Sequence, residues 1–223
     1  MQINEYPAIT SISDGDLFMV QTRSDGAYKS IAASDLQAYF GGAKSASNLP
    51  STRTFASSGD ANGVFYYLGT ALGSTGWNNP SGSLLTITAS SIYAGTVDFL
   101  TNRSSDQFYT NSYSNSWVEF DLGTLTLKCS YYSLKNRNGN DDHYLRNWQL
   151  QGSNDGISWT VLDNQVNNSV INTQSQWLSL PVITNNSYSR FRIFETGANS
   201  SGYYFICLGE VELYGILTRT VSP

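Results

Sequence analysis

The run from His143 to Asp163, HYLRNWQLQGSNDGISWTVLD, constrains this chain more than any other stretch. Trp148 and Leu150 alternate with Gln149 and Gln151, the two-residue period of a strand with one buried face. Ser153-Asn154-Asp155-Gly156 follows, where Asn, Asp and Gly tolerate positive φ and the Asx side chains bond the local backbone, so the chain reverses. Ser158-Trp159-Thr160-Val161-Leu162 then resumes β-prone residues. The segment predicts a β-hairpin, and the remainder of the chain is read as built around it.

Other segments carry the same period. In SWVEFDLG (Ser116 to Gly123), Trp117, Glu119 and Asp121 oppose Val118, Phe120 and Leu122. Phe191 and Ile193 alternate with Arg190 and Arg192, and EVELYG (Glu210 to Gly215) places Val211 and Leu213 on one face. Leu84 to Thr88 and Tyr131 to Lys135 are also β-prone. Short strands separated by Asn/Gly/Ser turns, without a long amphipathic helix, predict an all-β antiparallel sandwich. Its expected core includes Phe120, Leu122, Trp148, Leu150, Val161, Phe191, Ile193, Val211 and Leu213.

At 223 residues the chain accommodates one such sandwich plus an appendage. Charged residues are only 13%, which argues against disorder, and the net charge of -5 provides no basic footprint for nucleic acid or an anionic membrane. No apolar run approaches the ~20 residues that span a bilayer, and Met1 to Glu5 lacks the order of a signal peptide, so synthesis in a cytoplasm is expected. Cys129 and Cys207 allow one disulfide at most and are read as two buried free thiols. The Asn-X-Ser sequons at Asn102, Asn167, Asn185 and Asn199 are read as unmodified.

The hairpin motif LQGSNDG-SWTVLD resembles the central hairpin of discoidin modules, the coagulation-factor (F5/8) type C domains. GVFYYLGTALGSTGWNNPSG (Gly63 to Gly82) is similar to the opening of the discoidin-like modules in some ubiquitin-ligase and BTB-domain proteins. The resemblance covers residues 55 to 215 and implies the galactose-binding-like jelly roll. It also implies a structural calcium held by oxygen ligands from an early loop and from the Glu that opens the last strand, positions taken here by Asn102 and Glu210. The loop departs from the family pattern: Asn102 replaces an Asp, Arg103 adds positive charge and the following Thr is absent. No other cofactor is implied.

Residues 1 to 42 read as a separate small module. Ile9, Ile12, Leu17, Met19 and Val20 are β-prone around a Ser13-Asp14-Gly15-Asp16 turn, a second turn at Ser24-Asp25-Gly26 precedes Ala27 to Ile31, and a small hairpin is expected; Ser34-Asp35 can cap a short helix through Leu36, Tyr39 and Phe40. The pattern DGDLFMVQ, GAYKSIAASDLQAYF resembles N-terminal attachment segments of bacteriophage tail-fibre and other virion proteins. Residues 43 to 54, AKSASNLPSTRT, offer little apolar surface and are expected to be an extended, exposed linker; 216 to 223 form a C-terminal tail.

Catalysis finds little support. His143 is the only histidine, and its acidic neighbours Asp141 and Asp142 are adjacent in sequence, which does not supply a triad's spatial roles. The pairs Glu119/Asp121 and Glu210/Glu212 share strand faces, as a glycosidase pair would, but on a sandwich they read as a solvated outer face. Walker, GxGxxG, HExxH and CxxC motifs are missing, so no enzyme is expected.

What the resemblance implies instead is binding through loops at one end of the sandwich: Thr110 to Ser116, Asn136 to Arg146 and Thr196 to Tyr204. These loops and their borders carry Tyr109, Tyr113, Arg137, Asp141, Asp142, His143, Arg146, Asn199, Tyr203 and Tyr204. Planar donors and acceptors beside aromatic faces suit sugars, whereas the polar loops of an acidic chain do not suit phosphatidylserine or membrane insertion. The expectation is a phage virion protein, a tail fibre or related structural protein, whose sandwich binds host-surface carbohydrate. Its partners would be other virion proteins through residues 1 to 42 and two further copies of itself in a homotrimer. The alternative is an intracellular protein–protein interaction module.

Overall fold

A computed structural model of the chain describes residues 17–21, 28–32, 49–139 and 143–219. The chain divides into two compact units, residues 1–47 and 48–223. In the first, β1 (Leu17–Gln21) and β2 (Tyr28–Ala32) pair antiparallel with Phe18 opposite Ile31, strands on either side of the second expected turn; Ile9, Ile12 and the Ser13–Asp16 turn lie outside the described residues. The helix expected after Ser34 lies outside the described residues.

The second unit is a sandwich of two five-stranded sheets. One follows the order β10 (Trp177–Pro181), β7 (Leu125–Asn136), β12 (Cys207–Arg219), β3 (Ser51–Arg53), with β5 (Phe108–Tyr109) also paired to β12. The other runs β4 (Thr86–Ala89), β6 (Trp117–Asp121), β11 (Arg190–Glu195), β8 (Trp148–Ser153), β9 (Thr160–Gln165). All these pairings are antiparallel. A six-residue helix α1 (Val64–Gly69) and a 3-10 helix (Val97–Thr101) complete the unit. Among the described residues no helix is long and apolar enough to cross a membrane.

Period-two patterning builds the core. Val118, Phe120, Trp148, Leu150, Phe191 and Ile193 of one sheet meet Leu127, Tyr132, Leu134, Val211 and Leu213 of the other. Trp148 is fully buried, and its indole N–H donates to Tyr132 Oη (3.0 Å), whose own hydroxyl donates to Asp163 Oδ2 (2.6 Å). The largest core side chain therefore satisfies its one polar atom across the sheets. In the β8–β9 turn Asp155 Oδ1 accepts the N–H groups of Ile157 (2.8 Å) and Ser158 (2.7 Å), and these bonds hold its carboxyl down at about 2. The turn chemistry is the one the sequence dictates.

Three expectations need correction. Val161 is 49% exposed, because a bulge pairs Leu150 with Asp163 but Gln151 with Val161, turning Val161 outward while Leu162 packs against the core. Residues 51 to 53 of the expected linker are an edge strand, Thr52 opposite Ile216, because backbone pairing does not require apolar side chains. Pairing with β7 draws residues 216–219 of the expected tail into β12, with Arg219 opposite Leu125. Cys129 and Cys207 are free and buried, and burial pushes both thiols up to about 12.

Candidate functional site

A cavity of about 360 Å³ opens among loops that separate the strands, lined by Tyr93, Tyr109, Thr110, Ser112, His143, Tyr203 and Phe205. Four connections contribute: the one after β4, the β5–β6 loop, the β7–β8 loop and the β11–β12 loop. The rings are mutually braced. His143 meets Tyr203 edge-on at 5.4 Å and Phe205 at 5.1 Å, and Tyr203 lies nearly parallel to Phe205 at 5.9 Å.

Short-range polar chemistry sets these loops. Asn199 Oδ1 accepts the N–H groups of Ser201 (3.0 Å) and Tyr203 (3.1 Å), and the Asn199 N–H donates to Tyr203 O (2.8 Å), so one Asx turn presents Tyr203. Ser112 Oγ accepts the Tyr204 N–H (3.3 Å), and Thr110 exchanges bonds with Ile206, which ties the β5–β6 and β11–β12 loops together. Behind the cavity wall the Arg137 guanidinium lies 5.0 Å from the centre of the Tyr109 ring and donates to its hydroxyl. Burial raises that phenol above its ordinary range.

Tyr109, His143 and Tyr203 are thus the sequence-named residues that converge on the cavity. Arg137 is 3% exposed and supports Tyr109 from beneath. Arg146 donates to Ile171 O (2.6 Å) and Asn168 O (3.0 Å), so it braces the 168–171 loop. Asn199 shapes its turn, and Tyr113 and Tyr204 are exposed without lining the cavity. Asp141 and Asp142 lie outside the described residues. Tyr93, Thr110, Ser112 and Phe205 were not among the candidates. Thr110 and Ser112 lie inside a named loop and Phe205 one residue beyond another, while Tyr93 is signalled only as an aromatic residue in a Ser/Gly-flanked turn.

The acidic pairs do other work. Glu119 and Asp121 hold Arg190, at 2.6 and 2.5 Å. Glu210 and Glu212 do not form the solvated face expected of them. Glu212 is 2% exposed and accepts the N–H groups of Phe65 (2.7 Å) and Tyr66 (3.0 Å) at the start of α1. Burial pushes its carboxyl up to about 8 although these N–H groups pull the other way. A Cβ on Gly63 would sit 2.0 Å from the Glu212 side chain, so only glycine lets the helix start this close. Glu210 is flanked by Arg103 NH1 (3.7 Å) and Lys135 Nζ (3.9 Å).

The calcium ligands implied by the resemblance do not fit a metal in this arrangement. Asn102 Nδ2 donates to Asp106 Oδ2 (2.8 Å), its Oδ1 accepts the Ser104 N–H (3.1 Å), and Glu210 already faces two cations. Among the described residues no group of three or more His, Cys, Asp or Glu side chains is arranged to hold a metal.

No protein-family model matches the sequence. The chain is 33% identical over 178 residues to a BTB/POZ domain-containing protein of Arabidopsis thaliana, covering 70% of this chain and 21% of that protein. It is 29% identical over 167 residues to the E3 ubiquitin-protein ligase Ufd4 of Drosophila melanogaster, covering 70% of this chain and 6% of the ligase. The chain therefore spans 21% and 6% of the length of these two relatives. Among solved structures, CpGH89CBM32-5 from Clostridium perfringens in complex with GalNAc-β-1,3-galactose superposes with a TM-score of 0.50 at 13% identity, over 59% of this chain and 95% of that one. The sandwich is accordingly the discoidin-like jelly roll that the hairpin motif implied.

Proposed function

We propose that this chain is a binding and adhesion protein, without catalytic activity, whose sandwich holds a carbohydrate in the aromatic cavity. The observation that carries this reading is the convergence of Tyr109 from β5, His143 from the β7–β8 loop, and Tyr203 and Phe205 from the β11–β12 loop on one cavity of about 360 Å³. Aromatic faces pack against the C–H face of a sugar while Ser112, His143 and the tyrosine hydroxyls reach its hydroxyls. The acids that would suit glycoside hydrolysis are engaged elsewhere, by Arg190, by Arg103 and Lys135, and by α1. A ligand-bearing neighbour of the same fold agrees with the reading: CpGH89CBM32-5 was solved with GalNAc-β-1,3-galactose.

The biological setting we infer is a bacteriophage virion, a tail fibre or related structural protein that engages host-surface glycan. Residues 1 to 42 would attach the chain to the particle and to two sister chains. Three copies raise the avidity of a weak sugar contact by ~100-fold or more. The phage-like N-terminal pattern and the separate compact unit over residues 1–47 support this setting.

A second reading is an intracellular protein-interaction module, favoured by the sequence identity to the BTB/POZ and ubiquitin-ligase proteins. A glycan array probed with the full chain and with Tyr203→Ala separates the two. Binding to a defined glycan that the variant loses sustains the carbohydrate reading, and an array blank at high protein concentration rejects it. Light scattering of the full chain and mass spectrometry of purified particles test the setting. A monomer absent from particles overturns both trimer and virion.

A further inference from the structure

Arg103 sits in the turn after the 3-10 helix with φ +58, a left-handed backbone that a non-glycine residue adopts only when its surroundings enforce it. Its guanidinium explains the enforcement. NH2 donates to Gly59 O (2.8 Å), NH1 donates to Asp60 O (3.2 Å) and lies 3.7 Å from Glu210 Oε1, and the group rests 4.8 Å from the centre of the Tyr66 ring. Lys135 acts from the other side of the same carboxylate: Nζ donates to Ser104 O (3.2 Å), lies 3.9 Å from Glu210 Oε2 and stands 5.7 Å from the Trp177 ring centre. One carboxylate and three backbone carbonyls, drawn from the segments at 59–60, 104 and 210, thus surround two organic cations. Carboxylate and carbonyl oxygens are the donor set a hard divalent ion takes. Here two positive side chains beside Glu210 would repel such an ion.

We propose that Arg103, assisted by Lys135, is a built-in cation that performs the bridging work of the calcium implied by the fold, so that the loops it joins are set without any metal. A guanidinium suits this place because its planar fork reaches two carbonyls and a carboxylate at once while its face stacks on Tyr66. It cannot be removed by a chelator, and its effect is lost only by substitution.

The experiment uses the full chain. Thermal melts in 10 mM CaCl₂ and in 10 mM EDTA should coincide within ~1 °C, whereas a resident site filled far above its Kd would raise Tm by ~3 °C or more. Equilibrium dialysis against radioactive calcium should show no stoichiometric uptake. Calcium stabilisation of that size, or one ion bound per chain, overturns the proposal. A second arm compares Arg103→Gln, Glu210→Gln and the double variant. The single Arg103 change should lower Tm by ~5 °C or more because it strands part of a buried carboxylate's compensation, and the double variant should lose clearly less than the sum. Strictly additive losses would show that Arg103 and Glu210 do not act on one another and would also overturn it. Should Arg103→Gln fail to fold, Arg103→Lys replaces it in the cycle, and the calcium arm on the unaltered chain stands by itself.

Discussion

Around Glu210 and Glu212 the charged side chains are consumed inside the protein, whereas around His143 and Tyr203 aromatic faces are left open to a cavity. Both regions draw on tyrosine and arginine. In the first, Arg103 spends its donors on Gly59 O and Asp60 O, and Glu212 spends its acceptors on the N–H groups of Phe65 and Tyr66. In the second, Arg137 and Asn199 are spent on positioning Tyr109 and Tyr203, and the rings they position face outward. Residue type therefore does not separate support from binding surface. The separation lies in placement: the groups around Glu212 are enclosed against α1, whereas the rings of the second region line a cavity.

The comparison breaks if supposed support proves dispensable, and the core sets the scale. Trp148→Ala removes the largest buried side chain and one of the two hydrogen bonds of the Tyr132 hydroxyl, so it should cost ~3 to 5 kcal/mol in a denaturant or thermal melt. An unchanged Tm would mean that Trp148 is not the anchor described. Glu212→Ala comes next. It leaves two helix N–H groups buried without acceptors, and at ~1 to 3 kcal/mol for each such group the loss should approach that of the tryptophan. Retention of full stability would return Glu212 to the solvated face that its alternation with Val211 and Leu213 suggested.

That error marks where the sequence stops being legible. Alternation revealed which residues of β6, β8, β11 and β12 face the core, because one buried face leaves a period of two. It could not reveal that α1 and the loop around Arg103 cover the other face of β12, since that contact joins Gly63 to Tyr66 with Glu212, far apart in the chain. Val161 failed for a similar reason: a bulge at Leu162 flips the face, and no residue type announces it. At the candidate site the cavity draws residues from loops read in the sequence, yet Arg146 and His143, three residues apart, do different jobs. One guanidinium finds backbone carbonyls at Asn168 and Ile171, and the imidazole finds a cavity. Only three-dimensional closure distinguishes them.

A smaller effect on stability, with a large one on binding, sharpens the comparison at the cavity. Tyr203 is half exposed, so Tyr203→Ala should change stability by no more than ~0.5 kcal/mol. Under the proposed function the same change should weaken glycan binding by ~10-fold or more, as loss of an aromatic anchor does, measured by titration calorimetry with an array-selected glycan. A destabilisation matching that of Glu212→Ala would place Tyr203 with the supporting residues.

A last expected effect, seen only as pH varies, concerns Glu195, which belongs to neither region. Its side chain follows Phe191 and Ile193 onto the inward face of β11 and is fully buried, with the Ser116 backbone as its polar neighbour. Burial pushes this carboxyl up to about 7, and Glu212 up to about 8, from an ordinary 4.5. Both folded-state values are raised, so the folded chain holds these protons more tightly than the unfolded chain does. The stability they contribute is fully present below about 4.5 and is lost as pH rises through 7 and 8. Asp155, held at about 2, has the opposite sign, but its contribution is lost only as pH falls below the ordinary carboxylate range toward 2. Melting scans should therefore show Tm falling steadily as pH rises from 5 to 8.5. Glu195→Gln removes one of the two titrating groups without changing its shape, so the variant should melt above the parent at pH 8.5 and should retain the part of the slope that belongs to Glu212. A variant whose slope equals the parent's would show that Glu195 is already ionised and hydrated in the folded chain, and that the inward end of β11 is wetter than its packing implies.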